Sequence, residues 1–410
     1  MKINFIVQGY YPAIGGSEFL LQNLAETLSC KYDHICKVFT TNTYSCDAFN
    51  DPELPRMNIG KKNINGVEIY RYNISGKYGT IFKKFEEMCS NNNLRVTDFV
   101  RMLHSGPRSF DLYWSLLNEK CDLIFASSFP LMHILVSYWI TKFCGRKIII
   151  QGNFHIDDCF FDNELNRKIV KNCDGYICNT KVEYDYFIKN GVSSEKLEII
   201  PPAIVSIKNN LDLKIKPREL LKLPDKTIIL YFGQLLKNKN IDMLLDGFCE
   251  IAEKNKDICI VFGGSGYSKY YIELKKKVME FNSDISERIY FFLNVDEITK
   301  DLIYRCADIF VFPSLFESFG ISLIEAWSYK LPVIASDLEQ IKDTVKDKFT
   351  GLIFNRYNKN DLIDKMQILI MNSDIRETLR ENGYNEFLKK FEKEKLGEKT
   401  EKFLNKIMCQ

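Results

Sequence analysis

The sequence predicts an α/β protein in which each half of the chain forms a doubly wound parallel sheet. Short apolar segments alternate with segments of helical spacing through both halves, as in chains built from βαβ units. The length of 410 residues exceeds one ordinary domain. Hydrophobic residues make up 46% of the chain and aromatic residues 13%, which is enough to fill two large cores.

The first half opens with a predicted strand over residues 3–7, a glycine-containing loop and a helix over 18–28. Further strands are predicted at 36–40, 67–72, 122–126, 147–151, 174–179 and 197–200. In the second half, strands are predicted at 228–232, 258–262, 289–292, 309–312 and 332–335, with helices beyond 358. The polar run 208–225 interrupts the alternation and is the predicted linker. We therefore expect domains over 1–205 and 206–388, with a terminal helix over 389–410 that packs back on the first domain.

Composition excludes several classes of protein. The formal net charge is +2, so the whole chain gives no reason to expect nucleic-acid binding. Thirteen cysteines occur singly, without a C-x-x-C pair, which indicates a reducing compartment rather than a disulfide framework or a zinc site. The apolar start of the chain fits a buried first strand better than a signal peptide. We expect a cytoplasmic protein, with peripheral contact at the inner face of the membrane as a further option.

Three stretches of the first half are candidates for binding. Gly15 and Gly16 lie between the first strand and helix, where a phosphate or sugar can approach backbone amides, although the pair also serves a simple turn. His155, with Asp157 or Asp158, follows a strand end and could bind a sugar hydroxyl or orient an acceptor, the alternative being a structural histidine. The basic and aromatic segment 76–120 has the spacing of amphipathic helices, which suits either anionic lipid or a solvated surface.

Most of the predicted chemistry lies in the second half, at strand ends. Gly233 and Gln234 follow one strand and precede Lys239, whose ammonium could neutralise a diphosphate. The next strand ends in a turn that contains Gly264 and Gly266, where glycine permits close backbone approach.

The segment from Asp308 to Trp327 predicts a strand, a break and a helix that begins near Phe319. It carries Glu317, Gly320 and Glu325. Because ligands collect at the carboxyl ends of parallel strands, the segment favours a polyhydroxylated ligand that carries phosphate.

The segment from residue 228 to 354 resembles the donor-binding domain of retaining glycosyltransferases of the GT-B fold, in which two Rossmann-like domains face each other across a cleft. Glu317 and Glu325 are separated by seven residues, as in the E-x7-E motif of these enzymes. The enzymes with this motif are also called group 1 or family 4 glycosyltransferases. Leu331-Pro332-Val333 and Gly351-Leu352 also occur where the family places such residues. The amino-terminal half resembles the family through Gly15-Gly16, the order of its strands and its length.

The resemblance implies a role for each candidate. Glu325 should hold the ribose of a nucleotide sugar, Glu317 should lie near the transferred sugar, and Lys239 should neutralise the leaving diphosphate. The Gly15-Gly16 loop should close over that diphosphate, and His155 is the candidate catalytic residue of the first half. The other donor-binding candidates act mainly through backbone groups: Gly233, Gln234, Gly264, Gly266, Asn294, Val295, Phe319, Gly320, Ile321, Ser322 and Leu323.

The expected activity is transfer of a hexose-type sugar from a nucleoside-diphosphate sugar to a saccharide acceptor, plausibly lipid-linked, in bacterial surface polysaccharide biosynthesis. No Asp-x-Asp pair occurs in the chain, so we expect no essential metal and no cofactor other than the donor itself. Gln234 stands where the family commonly has an arginine. Two alternatives therefore stay open: a nucleotide-sugar-binding partner protein with weakened catalysis, and a nucleotide-sugar epimerase of the same fold.

Overall fold

A computed structural model describes residues 1–13, 15–44, 46–51, 53–75, 79–92, 96–156, 158–205, 217–265 and 269–410. Two of the predicted ligand residues, Asp157 and Gly266, lie outside these ranges, as does the first part of the predicted linker. The chain divides into two compact units. Unit 1 comprises Met1–Ala203 together with Lys393–Gln410, and unit 2 comprises Ile204–Glu392.

Unit 1 is built on one sheet with the strand order β3-β4-β2-β1-β5-β6-β7-β8. Its strands are β1 (Lys2–Ile6), β2 (Ile35–Thr41), β3 (Gly60–Ile64), β4 (Val67–Tyr72), β5 (Leu123–Ala126), β6 (Lys147–Gln151), β7 (Gly175–Cys178) and β8 (Leu197–Ile199). The helices between them are α1 (Gly16–Tyr32), α2 (Gly79–Asn91), α3 (Thr97–Ser105), α4 (Phe110–Asn118), α5 (Met132–Cys144), α6 (Glu164–Asn172) and α7 (Lys181–Lys189).

The parallel sheet predicted for the first half carries one antiparallel edge strand, β3, which the sequence interpretation missed. This strand is polar and mostly exposed, so it lacks the apolar character from which the other strands were predicted. Asn65 and Gly66 connect it to β4, both with positive φ (50° and 82°). Such an Asn-Gly pair is a strong local signal for a tight hairpin, because both residues tolerate that conformation.

Unit 2 has a parallel sheet with the order β11-β10-β9-β12-β13-β14. Its helices are α8 (Pro217–Leu220), α9 (Ile241–Ala252), α10 (Lys269–Met279), α11 (Ser283–Ser286), α12 (Glu297–Cys306), α13 (Ile321–Ser328), α14 (Glu339–Thr344), α15 (Lys359–Met371) and α16 (Ser373–Lys390). Its strands are β9 (Thr227–Gln234), β10 (Ile258–Ser265), β11 (Ile289–Leu293), β12 (Ile309–Phe312), β13 (Val333–Ser336) and β14 (Leu352–Phe354). The change in strand order at β9 and β12 is the switch point at which ligands bind in open α/β sheets.

Residues 217–225, the described part of the predicted linker, belong to unit 2. Arg218 of α8 donates hydrogen bonds to the carbonyl of Cys306 and to the carboxylate of Asp308, at 3.1 and 2.8 Å. The same Asp308 carboxylate accepts the amide of Ile228 at the start of β9. Arg218 therefore holds α8, which lies in the described part of the predicted linker 208–225, beside the first strand of unit 2.

The last helix, α17 (Lys393–Met408), packs on unit 1. Its apolar side chains Leu396, Phe403, Leu404 and Ile407 are buried in the same core as β1 and α1. His34 forms a hydrogen bond of 2.7 Å with Glu401 at the edge of this contact.

All thirteen cysteines are free thiols. None of the helices in the described part of the chain has the length and apolar character that a membrane span requires.

Candidate functional site

Two loops at the carboxyl edge of the unit 2 sheet place Lys239 beside Glu317. One loop joins β9 to α9 and the other joins β12 to α13, and the amide of Leu315 donates to the carbonyl of Asn238 across them at 2.9 Å. Lys239 forms an ion pair with Glu317. Both side chains are about one sixth exposed, at 17% and 18%, so the pair is shielded yet open to a ligand. The structure thus brings together two of the predicted catalytic residues.

Gly320 fixes the start of α13, which lies two residues later than predicted. Its φ is +91°, in the left-handed region that favours glycine, and a Cβ there would lie 2.9 Å from the ring of Phe312. The helix begins at Ile321, and the first amides of a helix have no partner within it. These amides and the helix dipole attract anions. The side chain of Phe319 is buried, so this residue can meet a ligand only through its backbone.

Glu325 lies in the second turn of α13, and the residue as a whole is 9% exposed. Lys300 forms an ion pair with its Oε1 at 2.6 Å, and the hydroxyl of Tyr304 donates to its Oε2 at 2.8 Å. Burial alone would lower the pKa of Lys300, but the attraction and hydrogen bond of Glu325 outweigh it and raise that pKa. Each oxygen of the carboxylate therefore has one donor.

The ends of β9, β10 and β11 bring the predicted backbone ligands Gly233, Gly264 and Asn294 into contact. Gly264 has a φ of +130°, and a Cβ there would lie 1.9 Å from the carbonyl oxygen of Gly233. Glycine at 264 is thus required by the close approach of two strands, whatever else it does. The amide of Asn294 donates to the carbonyl of Gly264 at 2.7 Å. The next residue, Val295, is half-buried. The side chain of Gln234 is exposed at the same edge.

In unit 1, Gly15 and Gly16 form the start of α1 above a buried carboxylate. A Cβ on Gly15 would lie 2.2 Å from Oε2 of Glu18, and Gln8 donates to Oε1 of that residue at 2.7 Å. Burial raises the pKa of Glu18. A side chain at position 15 would therefore displace a carboxylate that is fixed by its own hydrogen bond.

The loop that carries His155 lies next to this turn. Asn153 donates from its amide to the hydroxyl of Ser17 at 2.9 Å, and Asn179 donates to Oδ1 of Asn153 at 2.8 Å. The ring of His155 packs against Phe161, with 4.5 Å between their centroids, and its side chain is half-buried. The structure therefore brings the two candidate stretches of unit 1 together through Asn153.

Some residues of these sites carry no motif and were missed in the sequence. Lys300 and Tyr304 are four residues apart on α12, a spacing that places both on one helix face, and this is the one local signal that could have linked them. Nothing near Glu18 in the chain marks it as a buried carboxylate, because its burial depends on tertiary packing.

Comparison with known proteins shows to which family this chain belongs. The family described as Glycosyl transferases group 1 matches residues 213–386. An uncharacterized glycosyltransferase of Methanocaldococcus jannaschii is 30% identical over 386 residues, which cover 94% of this chain and 93% of that protein. The chain belongs to the group 1 glycosyltransferases.

Two further similarities concern polysaccharide synthesis and fold. The capsular polysaccharide biosynthesis glycosyltransferase CapM of Staphylococcus aureus is 27% identical to this glycosyltransferase over 227 residues, which cover 53% of each protein. The crystal structure of Anabaena HepE in complex with UDP-glucose superposes with a TM-score of 0.70 at 15% identity, covering 99% of each chain. The predicted GT-B fold is thereby confirmed.

Proposed function

We propose that this protein is a retaining glycosyltransferase that transfers a hexose-type sugar from a nucleoside-diphosphate sugar to a saccharide acceptor. In this proposal it acts in surface polysaccharide biosynthesis, at the inner face of the cytoplasmic membrane, on an acceptor that is linked to lipid. No divalent cation is required, because Lys239 and the amino terminus of α13 stabilise the leaving diphosphate.

The observation that carries the proposal is the ion pair of Lys239 and Glu317 beside the start of α13. Departure of a nucleoside diphosphate builds negative charge on phosphate oxygens and positive character on the sugar ring. A cation and free helix amides suit the first charge, and a carboxylate suits the second. The acceptor oxygen bonds to the anomeric carbon as the bond to the diphosphate breaks, and its proton leaves with a phosphate oxygen.

Glu325 is the proposed ribose ligand, because its carboxylate is buried and lies one helical turn from those amides. The proposed base site is the backbone from Phe292 to Val295. A uridine nucleotide is the first donor to test, since HepE, which shares the fold, was crystallised with UDP-glucose. A thermal-shift screen of uridine, guanosine and adenosine diphosphate sugars would identify the donor, because a ligand that binds only the folded state raises the unfolding temperature.

The proposal of a saccharide acceptor draws on the similarity to a capsular polysaccharide glycosyltransferase. The proposal of a lipid link draws on exposed aromatic side chains of unit 1. Phe110 and Trp114 stack on α4 and are 77% and 56% exposed. Trp139 and Phe143 of α5 are 49% and 86% exposed. We assign acceptor recognition to unit 1, with His155 as the proposed ligand of an acceptor hydroxyl.

The test compares Lys239→Met and Glu317→Gln with the wild type in transfer assays that use the donor found by the screen. We expect each variant to lose at least about a hundredfold in kcat, as for removal of one electrostatic group from an active site. Lys277→Met is the matched control, because Lys277 forms a comparable ion pair with Asp246 at 2.6 Å in the same unit.

Full activity of both variants would contradict the site assignment. Proton NMR of the first product reports the anomeric configuration, and inversion would contradict the retaining mechanism. Loss of activity with a chelator would contradict metal independence. Conversion of the donor without any acceptor would indicate the epimerase alternative, and binding without conversion would indicate the partner protein.

A further inference from the structure

Lys300 and Glu325 form another lysine–glutamate pair of unit 2, and Glu325 lies on α13, the helix that follows Glu317 in the chain. The Lys300 side chain is 21% exposed and that of Glu325 is 11% exposed, so a ligand can reach both. Tyr304 occupies Oε2 of Glu325, and Lys300 occupies Oε1. The proposed ribose ligand is therefore already engaged on both of its oxygens.

A vicinal diol approaches a carboxylate through two O–H donors. Tyr304 is fully buried, and its hydroxyl donates to Glu325. Lys300 has a flexible stem and an ammonium that can reorient, which makes it the partner that yields. Binding of ribose at Oε1 would then leave Lys300 with Glu297, whose Oε2 lies 4.0 Å from its Nζ. Because the side chain of Glu297 is 88% exposed, solvent screens its attraction, and a phosphate of the donor would be the stronger partner.

The position of Lys300 indicates where that anion would be. Its Nζ lies 5.8 Å from the centroid of the Phe232 ring, and Phe232 directly precedes Gly233 and Gln234 at the end of β9. Lys237, which also follows β9, is 77% exposed and lies 3.6 Å from the carboxylate of Glu273. Lys300 is thus the more shielded of the two cations, and its electrostatic effect is less screened by solvent.

We propose that Lys300 is a donor-binding residue that exchanges partners: the ribose of the donor replaces it at Glu325, and its ammonium then pairs with a phosphate of the nucleotide. This inference rests on the proposed function, since it assumes a nucleoside diphosphate at this edge. It gives the diphosphate a second cation beside Lys239 in a chain that has the neutral Gln234 at the strand end. Lys300 thereby couples occupation of the ribose site to neutralisation of the phosphates.

The alternative role for Lys300 is structural, in which it only orients Glu325. The two roles differ in what they predict for a nucleoside that lacks phosphate. If Lys300 pairs with phosphate, its removal weakens binding of UDP but does not weaken binding of uridine, which displaces Lys300 from Glu325 without supplying a phosphate in exchange. If it only orients Glu325, both ligands lose affinity equally, because both present the same ribose.

The experiment measures dissociation constants of the full chain for UDP, GDP and ADP and for their nucleosides. It compares the wild type with Lys300→Met, Lys300→Arg and the control Lys277→Met. For the diphosphate that the wild type prefers, we expect Lys300→Met to weaken binding at least about tenfold, while binding of the nucleoside is unchanged or tighter. Lys300→Arg, which keeps the charge, should recover most of the diphosphate affinity. Binding of the diphosphate should also depend less on salt in Lys300→Met.

Equal weakening of diphosphate and nucleoside would overturn the inference in favour of a structural role. Unchanged or tighter binding of the diphosphate by Lys300→Met would also overturn it, the latter because Lys300 would then be only a competitor for Glu325. A wild type that binds none of the three diphosphates would instead overturn the proposed function. The two failures are therefore distinguishable in one set of titrations.

Discussion

Glu183 is a single carboxylate that organises a whole loop of unit 1. It is 2% exposed and accepts hydrogen bonds from the hydroxyl of Tyr176 and the amide of Asn179, both at 2.7 Å, and from the amide of Phe154 at 3.3 Å. A Cβ on Gly152 would lie 2.5 Å from its Oε1, so glycine there is matched to this carboxylate. Through these bonds Glu183 holds the backbone that precedes His155.

The titration of Glu183 leads to the first prediction at the residue scale. Burial raises its pKa from 4.5 to about 7, although its hydrogen-bond donors lower it. Between these pH values the folded state keeps a proton that the unfolded state has lost. Its contribution to stability is therefore complete below about pH 4.5 and is lost as the pH rises through about 7.

Glu183→Gln cannot titrate, so we expect the stability of the variant relative to the wild type to improve between pH 5 and pH 8, by roughly 2 to 3 kcal/mol. Calorimetric unfolding at the two pH values measures this difference. Glu195→Gln, at an exposed position of the same unit, is the control and should show no such change. An equal difference between Glu183→Gln and the wild type at both pH values would contradict the assignment.

Sequence motifs identify site residues unevenly at this scale. The spacing of Glu317 and Glu325 predicted these two residues as ligands, and the position of Lys239 after a strand predicted the third. In the structure, Lys239 and Glu317 form an ion pair. Lys300 was not found, because its role depends on α12 lying against α13, a contact that no local pattern encodes. Gln234 is exposed at the strand end, as its position predicts.

At the element scale, α17 completes the core of a unit from which it is far removed in the chain. Leu404 is fully buried among side chains of the first strand and helix. Gly397 permits the close packing, since a Cβ there would lie 2.6 Å from Cγ2 of Thr27. The helix therefore contributes to the stability of unit 1 and is not an appendage.

Leu404→Ala should lower the free energy of unfolding by about 2 to 5 kcal/mol, the range for removing a buried leucine side chain. Urea denaturation measures the effect. The matched control is Phe143→Ala, which truncates a side chain that is 86% exposed in the same unit and should change stability by less than about 0.5 kcal/mol. Equal stability of the two variants would show that α17 is not docked as described.

Other elements show where prediction from sequence succeeds and fails. Buried parallel strands such as β5 and β6 were located closely, because both faces of such strands are apolar. The edge strand β3 was not predicted, because most of its residues are exposed and its sequence is polar. The Asn65-Gly66 turn is the local feature that indicates a hairpin there. The hydrogen bonds of Arg218 to Cys306 and Asp308, which connect α8 to the rest of unit 2, could not be predicted either, because these residues are far apart in the chain.

On the scale of the whole molecule, the proposed contact with a membrane rests on the exposed aromatic side chains of α4 and α5. The two helices are neighbours, because Arg146 donates to the carbonyls of Leu116 and Leu117 at 3.1 and 2.9 Å. Lys83 and Lys84 are exposed on α2 of the same unit. Aromatic side chains with lysines are typical of peripheral membrane surfaces.

The double variant Trp114→Ala, Phe143→Ala should bind vesicles that contain anionic lipid at least about tenfold more weakly than the wild type. Cosedimentation with the vesicles measures this. The control pair Met279→Ala, Met371→Ala removes side chains that are 76% and 80% exposed in unit 2, and it should bind as the wild type does. Equal binding by all three proteins would remove the membrane contact from the proposal.

The sequence by itself determined the fold class, the approximate positions of most strands and the residues of the E-x7-E segment, because apolar periodicity and motif spacing are local properties. Tertiary structure alone decided which charges meet. Lys239 reaches Glu317 because two loops are tied together, and Lys300 reaches Glu325 because two helices are adjacent. Such pairing depends on distances between residues far apart in the chain, which packing sets and local pattern does not.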